Sequence, residues 1–317
     1  MTPPTNAKHW RQAWQVPHVP LALVLVVVAA CRGDSRAGTR TQPPPATRQV
    51  LWRAGQAGSA PLGWRWPTGL VLDLVSSEYV EEDDPDGGQA ATGTMVHRRG
   101  QLVVESAEPG PVWHVRVASP AVSLHPDAAH TGPQIAELLQ AARYTVQLAD
   151  GALDVVVSTE PPGAALVDAY HVGMVLQAML PALPGREVAA GEQWTSTARV
   201  HARDEGGVVL FVHQTAAMAG TLPCGPRDRQ RCSVVEVNLT LEQTGVVETD
   251  AGLVRVNGQG QGVARLTLDP GGAYPLESML KLEMTSRVRG ISAEARDVVV
   301  RQTRTILASV TARSETR

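Results

Sequence analysis

Residues 280–288 read LKLEMTSRV and decide the fold class of this 317-residue chain. Two phases alternate along the stretch, with Leu280, Leu282 and Met284 in the apolar phase and Lys281, Glu283 and Thr285 in the polar one. Because successive side chains of a strand point to opposite faces of a sheet, this alternation predicts a strand with one buried face and one wet face. A sheet that is wet on one side is typical of antiparallel pairing.

Short β-prone runs fill most of the sequence on both sides of this strand. They cover residues 70–75, 94–98, 102–105, 112–117, 144–148, 153–157, 194–201, 208–215, 234–243, 246–249, 253–257, 263–268 and 298–306. Such closely spaced runs predict an antiparallel meander.

Turn residues separate the predicted strands. The most secure turn is Asp150-Gly151, since Asp-Gly tolerates the positive φ angles of a type I′ hairpin. The acidic residues 81–88 are expected to end the first strand as a turn, and further turns are predicted at residues 250–252, 257–258 and 269–272. Gly258, Gly260 and Gly262 precede a strand rather than a helix, which favours a hairpin with a bulge over a nucleotide loop.

Two segments have helical spacing instead. The first begins after Gly132-Pro133 and places Ile135, Leu138, Leu139 and Ala142 on one face. The second runs from about residue 164 to 180, and its wide apolar arc predicts a helix that packs on the sheet, or that plugs or lines an apolar cavity. The expected fold class is therefore α+β and β-rich, with two packed helices.

The N-terminal segment predicts where the protein is placed. Two basic residues, and no acidic one, precede the apolar run of residues 19–30. These twelve residues fall short of the roughly 20 that cross a membrane core as a helix, so a secretory signal is favoured over a membrane span. The signal ends in Val28-Ala29-Ala30-Cys31, which resembles a bacterial lipobox. We expect cleavage after Ala30 and lipid attachment at Cys31.

A lipid on Cys31 makes a membrane the first expected partner of the protein. Two or more acyl chains anchor a protein stably, whereas one chain does so only marginally. The alternative is an ordinary cleaved signal that leaves Cys31 as a free thiol. Arg32 stands where an aspartate favours retention in the inner membrane in many Gram-negative bacteria. The expected location is the outer membrane, facing the periplasm.

Composition divides the chain into three segments. Residues 1–30 are the signal, residues 31–63 a Pro- and Gly-rich tether, and residues 64–313 the β-rich envelope domain. Pro43, Pro44 and Pro45 stiffen the tether without folding it. Trp64 and Trp66 open the domain, either as a carbohydrate-stacking platform or, as is commoner, as cover for a sheet edge.

Charge excludes one class of partner. The chain has 28 basic and 31 acidic residues, with a net charge of −3. A mildly acidic and well-mixed surface gives no electrostatic reason to expect nucleic acid as a partner.

Cys224 and Cys232 flank a polar loop that is rich in arginine. In an oxidising envelope these two cysteines are expected to form a disulfide, since Cys31 is committed to the lipid. A redox pair or a zinc site is the alternative. Redox motifs usually space their cysteines more closely, and zinc would need a second Cys/His half, so a structural disulfide is favoured.

Candidate metal ligands are sparse. His97 and His114 lie in two of the predicted strands and could face each other as a metal pair, but no third ligand has compelling spacing. His125, Asp127 and His130 share a loop with the same shortcoming, and the acidic residues 81–88 lack the spacing of a calcium-binding EF-hand loop. These residues are interpreted as structural, and no cofactor is expected.

Residues 180–194, LPALPGREVAAGEQW, contain a more specific pattern. The pattern resembles a signature of an uncharacterised family of bacterial envelope lipoproteins, in which a helix ends in a Pro-rich turn before a Val-x-x-Gly-x-x-Trp strand entry. The resemblance implies a large curved antiparallel sheet, reminiscent of the half-barrels of lipid carriers. It implies no catalytic residue. Pro181 and Pro184 independently predict the end of a helix, because proline lacks an amide donor.

No common catalytic motif occurs in the chain, including Gly-x-Ser-x-Gly, His-Glu-x-x-His, a Walker loop and Cys-x-x-Cys. No enzymatic activity is therefore expected. The sequence favours a lipid-anchored, non-catalytic module that binds an apolar ligand or an apolar segment of another protein. A structural or assembly component of the envelope is the alternative, followed by an envelope hydrolase.

Overall fold

The computed structural model describes residues 58–83, 92–107, 112–125, 143–149, 152–158, 176, 180–202, 207–225, 229–249, 252–290 and 297–312. Within these ranges the chain forms thirteen strands. They are β1 (Ser59–Leu62), β2 (Val71–Asp83), β3 (Thr92–Ala107), β4 (Val112–His125), β5 (Arg143–Ala149), β6 (Ala152–Ser158), β7 (Arg186–Ala189), β8 (Gln193–Ala202), β9 (Val208–Cys224), β10 (Gln230–Thr249), β11 (Gly252–Leu268), β12 (Pro275–Gly290) and β13 (Asp297–Ala312).

Eleven of these strands close into a barrel in the order β10-β11-β12-β13-β2-β3-β4-β5-β6-β8-β9. The described neighbours are antiparallel, except that β6 and β8 run parallel. Closure is completed by β13, which pairs with β2 from Ala312 opposite Leu72 to Arg301 opposite Asp83. The expected curved antiparallel sheet is confirmed, and it curls further than the half-barrel that the sequence predicts.

Strict alternation of side chains builds the inner face of the barrel. On β12, Leu280, Leu282 and Met284 are buried, whereas Lys281 and Glu283 are exposed. Directly opposite residues on neighbouring strands share the same face, as Leu280 and Ile306 do on β12 and β13. The buried phase of each strand therefore points into the barrel, and the polar phase faces outward.

Glycines on β11 allow the sheet to bend sharply. A Cβ atom at Gly260 would lie 2.6 Å from the carbonyl oxygen of Glu283, and one at Gly262 would lie 2.7 Å from that of Lys281. Such contacts leave no room for a side chain, as expected where strands of a barrel turn a corner. The turn predicted at residues 257–258 is therefore wrong, because both residues lie inside β11 and pair with β12.

A small cap covers one end of the barrel. We use this name for β1, β7 and residues 63–70 and 180–185. β1 and β7 pair with each other from Ser59 opposite Ala189 to Leu62 opposite Arg186. The amide of Gly63 donates to the carbonyl of Gly272, 3.2 Å away, in the turn between β11 and β12. The cap therefore lies at the end where β11 turns into β12.

The cap is held by tryptophan side chains. Trp64 Nε1 donates to the carbonyl of Pro181 at 2.9 Å, and Trp66 Nε1 donates to the carbonyl of Ala273 at 3.2 Å. Both rings are buried and meet edge to face, with centroids 6.2 Å apart. They cover the sheet and are not an exposed stacking platform.

Two boundaries differ from the sequence prediction. The described fold begins before residue 64, because β1 lies within the range predicted to be a tether. Its sequence Ser59-Ala60-Pro61-Leu62 has a weak strand signal, and burial of Ala60 and Leu62 against the fold outweighs it. β2 runs through Asp83, so Glu81–Asp83 continue the strand, and the rest of the predicted acidic turn lies outside the described residues.

The two predicted helices are not supported by the described residues. The helix predicted after Gly132-Pro133 lies outside them. Of the helix predicted at about residues 164–180, only Leu176 and Leu180 are described. Leu176 is helical and fully buried, and Leu180 is buried but not helical. The described part of the chain is therefore β-rich, and the α component of the predicted α+β class falls outside it.

Candidate binding site inside the barrel

A buried ion-pair cluster lies on the inner face of β2, β3 and β13. Glu78 is fully buried, and its carboxylate binds Arg98 Nη1 at 2.8 Å and Arg304 Nη1 at 3.1 Å. Arg304 Nη2 also donates to Gln302 Oε1 at 2.9 Å. The cluster links three adjacent strands across the position where the barrel closes. Buried charges are costly unless they are paired, so this cluster must keep its geometry.

Small polar side chains extend the cluster along the same wall. Ser76 lies directly opposite Arg98 on β3 and opposite Ala308 on β13, which in turn lies opposite Ser278 on β12. Ser76 and Ser278 are 1% and 4% exposed, and neither hydroxyl has a hydrogen-bond partner among the described residues. We call Arg98, Ser76 and Ser278 the polar belt. Most buried hydroxyls in proteins are hydrogen-bonded, so these two are exceptions among the described residues.

A second polar group lies on the inner face of β8 and β9. Ser196 Oγ donates to Gln214 Oε1 at 2.8 Å, and the amide of Ala182 reaches the same oxygen at 3.4 Å. Trp194 Nε1 donates to the carbonyl of Ala182 at 2.8 Å. Residues 180–183 therefore lie against the inner wall, across the barrel from the polar belt. Residues of the Leu180–Trp194 pattern thus have a structural role, because they hold the cap against β8 and β9.

The inner wall becomes accessible away from the cap. Inward-facing side chains near the cap, such as Leu72 and Leu268, are fully buried. At the other end of β11, β12 and β13, the inward-facing Val254, Val288 and Val298 are only half-buried. We call these three valines the mouth. The more exposed inward-facing positions of these three strands therefore lie at the end opposite the cap.

Two histidine pairs lie on the outer face of the barrel. Ser77 Oγ lies 2.8 Å from His97 Nδ1 in an exposed pair across β2 and β3. His201 Nε2 lies 3.2 Å from Asp154 Oδ1, and Arg199 binds the same carboxylate through two nitrogens, at 3.1 and 2.7 Å. The side-chain hydrogen bond to Asp154 raises the pKa of Arg199. Both pairs therefore lie outside the buried interior of the barrel.

The predicted histidine metal pair is not assembled. His97 lies opposite Ser123 on β4, whereas His114 lies opposite Ser106, far along the same strand pair. Within the described ranges, no group of three potential ligands is close enough to hold a metal ion. Asp127 and His130, and the acidic residues after Asp83, lie outside the described residues.

The predicted disulfide is present. Cys224 and Cys232 are joined with an S–S distance of 1.99 Å and tie the end of β9 to the start of β10. Beside the disulfide, Arg231 Nη2 donates to Thr221 Oγ1 at 2.8 Å. This arginine, predicted to lie in the loop, is therefore held against β9. Ala30 and Cys31, the predicted cleavage and lipid sites, lie outside the described residues.

An exposed ion pair fixes the connection between β7 and β8 in the cap. The side-chain hydrogen bond from Arg186, together with the backbone amide of Ala189, lowers the pKa of Glu192. The same contact raises the pKa of Arg186. Gly191 takes a positive φ of 85° in this turn, a conformation that favours glycine.

Sequence reasoning missed the ion-pair cluster and the polar belt. A signal for both was nevertheless present in β2. Leu72, Leu74, Ser76, Glu78 and Val80 occupy one phase of the strand. The apolar members of that phase predict the inner face, so Ser76 and Glu78 are placed inside the barrel by position, despite their polarity.

Comparisons with known proteins give little guidance. No protein-family model and no curated protein matches the chain. Among solved structures, an outer membrane channel from Pseudomonas putida F1 is similar at 8% sequence identity, over 78% of this chain and 97% of that one, with a TM-score of 0.18. A similarity at this level supports no inference about function. No helix among the described residues is long and apolar enough to cross a membrane.

Proposed function

We propose that this protein is a lipid-anchored component of the bacterial envelope whose barrel binds an apolar ligand without catalysing a reaction. The observation that carries this proposal is the inner wall, which is fully buried beside the cap and half-buried at the mouth. Small-molecule sites are usually lined by apolar side chains with a few polar groups, and the inward-facing positions of this barrel have that composition.

The strand number supports an interior that side chains alone do not fill. A barrel of eight strands is just wide enough for its own side chains or one small ligand, and the diameter grows with the number of strands. Eleven strands therefore enclose a wider space. Residues 180–183 occupy part of it against β8 and β9, and the wall formed by β2, β13 and β12 faces them.

A non-catalytic role is supported by where two histidine pairs lie among the described residues. The Ser77–His97 and Asp154–His201 pairs are on the outer face, and Ser77 with His97 is exposed. A hydrolase needs its nucleophile and base in a cleft that positions a substrate. If the protein hydrolysed a carbon–oxygen bond and the His97→Ala variant lost that activity, this part of the proposal would be overturned.

The membrane anchor is supported by the Val28-Ala29-Ala30-Cys31 pattern. The Cys31→Ser chain, expressed in a bacterium fed with radiolabelled palmitate, is expected to lose the label and to keep its signal segment. The Cys224→Ser chain is the matched control, since it loses a cysteine but is expected to keep the label. Equal labelling of the Cys31→Ser and unchanged chains would rule out the anchor.

Ligand binding is tested by native mass spectrometry of the full chain, released from mild detergent in the gas phase. We expect a reproducible added mass that corresponds to one amphiphile beyond the covalent lipid. A Val288→Trp variant, which fills the mouth, is expected to lose this mass, while the outward-facing Arg287→Trp variant keeps it. Spectra with no added mass, or an added mass that both variants retain, would exclude a ligand that enters through the mouth.

A further inference from the structure

We infer that β5 and β6 form a movable section of the barrel wall, and that Asp154 holds this section closed by binding Arg199 and His201. We call β5 and β6 the gate, and we call these three side chains the latch. The inference concerns the wall itself, so it goes beyond the proposed ligand and does not depend on it. Its starting point is the way in which the gate is joined to its two neighbours.

Among the described strands of the barrel, the gate has the shortest pairing with its neighbours. Residues 143–147 of β5 pair with β4, and residues 152–157 of β6 pair with β8. By contrast, residues 72–83 of β2 pair with β13 at the position where the barrel closes. Because the pairing on each side of the gate is short, few backbone hydrogen bonds must break to release it.

The two sides of the gate also differ in kind. β5 is antiparallel to β4, whereas β6 is parallel to β8, and parallel pairing is slightly less stable per residue. Within the gate, β5 and β6 pair along their whole length, from Arg143 opposite Ser158 to Ala149 opposite Ala152. Local unfolding usually involves a contiguous motif of this kind. The gate is therefore expected to open as one unit and not strand by strand.

The latch strengthens the parallel side of the gate. Arg199 lies directly opposite Asp154, and His201 lies two residues further along β8. Asp154 accepts hydrogen bonds from Arg199 Nε at 3.1 Å and from Arg199 Nη2 at 2.7 Å, and its Oδ1 lies 3.2 Å from His201 Nε2. One carboxylate of β6 thus engages two side chains of β8. Loss of this carboxylate removes both contacts at once.

Apolar side chains close the inner face of the same pairing. Val155 of β6 lies directly opposite Val200 of β8, and both side chains are fully buried. Movement of β6 away from β8 would expose these two valines to solvent. Because burial of apolar surface is favourable, the closed wall is the resting state. Val155 is therefore a residue that becomes accessible when the gate opens.

Hydrogen exchange of the full chain in mild detergent, followed by peptide mass spectrometry, tests the gate and the latch together. In the unchanged chain, we expect the amides of β5 and β6 to exchange about tenfold faster than those of β10, β11 and β12. Asp154→Asn is expected to accelerate exchange in both gate strands about two- to fivefold, as loss of a partly exposed ion pair would. Acceleration in β5 is the distinctive result, because the latch lies on the other side of the gate.

Glu236→Gln is the matched control. Glu236 is an exposed carboxylate on the outer face, and it pairs with Arg265 across β10 and β11 at 3.4 Å. This variant is expected to leave exchange in the gate unchanged. If Asp154→Asn accelerated β6 alone, movement as one unit would be overturned. If it accelerated β10, β11 and β12 equally, or the gate no more than Glu236→Gln does, the latch would be overturned.

A thiol reagent measures opening independently. Val155→Cys places a thiol on the inner face of the gate, and Val237→Cys places one on the inner face of β10, where the valine is 2% exposed. We expect N-ethylmaleimide to modify the Val155→Cys chain about tenfold faster than the Val237→Cys chain, in proportion to local opening. Adding Asp154→Asn should increase the first rate and leave the second unchanged. Equal rates at the two positions would mean that the gate is as firmly closed as the rest of the wall, and would overturn the inference.

Discussion

Glu78 is the residue on which the interior of the barrel most depends. It is fully buried and binds both Arg98 and Arg304. Replacement by an apolar side chain would leave two buried guanidinium groups without this carboxylate. Loss of one partner of a buried ion pair costs far more than the pair contributes to stability, because the remaining charges stay buried.

We therefore predict that Glu78→Gln lowers the free energy of unfolding by about 3 to 5 kcal/mol. Urea denaturation followed by tryptophan fluorescence measures this change. Asp154→Asn is the matched control, since it removes a carboxylate that binds Arg199 on the outer face. A half-exposed pair contributes about 0.2 to 1 kcal/mol, so a similar loss in both variants would contradict the buried-cluster account.

At Gly260 the backbone of the neighbouring strand leaves no room for a side chain. A Cβ atom there would meet the carbonyl oxygen of Glu283 at 2.6 Å. Gly260→Ala is therefore predicted to lower the free energy of unfolding by about 1 to 3 kcal/mol, as overpacked sites do. Thermal or urea unfolding measures it. The control is Gln261→Ala at the exposed neighbouring residue, which is expected to change the free energy of unfolding by no more than about 0.5 kcal/mol. A neutral Gly260→Ala would show that the strand bend tolerates a side chain.

At the scale of elements, the disulfide fastens the hairpin of β9 and β10. Cys224 and Cys232 are separated by eight residues. The chain-entropy model assigns about 2.5 kcal/mol to closing so short a loop. Replacing both cysteines with serine is predicted to lower the free energy of unfolding by about this amount, measured by urea denaturation.

A reductant supplies the control for this prediction. It should destabilise the unchanged chain and leave the double variant unaffected. If the unchanged chain kept its unfolding midpoint after thiol titration showed both cysteines reduced, the bond would have no stabilising role.

Strand content was predictable because alternation depends on local sequence. The phase of Leu280, Leu282 and Met284 correctly predicts the inward face of β12. Strand limits were less predictable. Asn257 and Gly258 have the composition of a turn, but β11 continues through them, paired with Arg287 and Ser286 of β12. Local sequence does not reveal a requirement that arises from the neighbouring strand.

The site was less predictable than the strands. The phase of β2 placed Glu78 inward, but its partner Arg304 is 226 residues away in sequence. The meeting of the two depends on the pairing of β13 with β2, which follows from closure of the sheet. The family resemblance implied a half-barrel and specified no pairing between the first and last strands. The polar belt has members on β3, β2 and β12, and it could not be predicted for the same reason.

At the scale of the whole molecule, β13 holds the barrel closed. It pairs with β12 on one side and β2 on the other, and it contributes Arg304 to the ion-pair cluster. A chain ending at residue 296 is predicted to lose cooperative unfolding and to be cut by trypsin within β3, after Arg98 and Arg99. Limited proteolysis and near-ultraviolet circular dichroism, which reports the packed tryptophans of the cap, measure these effects.

A chain ending at residue 312 is the control, because it keeps every described strand. It is expected to resist trypsin as the unchanged chain does. Resistance of the chain ending at residue 296 would mean that the remaining ten strands of the barrel form a stable unit without β13.

Pairing of β2 with β13 also constrains how the protein is made. β2 is the first strand of the barrel to emerge during synthesis, yet its second neighbour emerges some 226 residues later. At about 5 to 20 residues per second, β13 is made roughly 10 to 45 seconds after β2, and until the two strands meet one edge of β2 has no partner. Unpaired edges can template aggregation. The first strand of the barrel in chain order thus completes its hydrogen bonds only with the last, and the pairing of β2 with β13 is expected to set the folding rate.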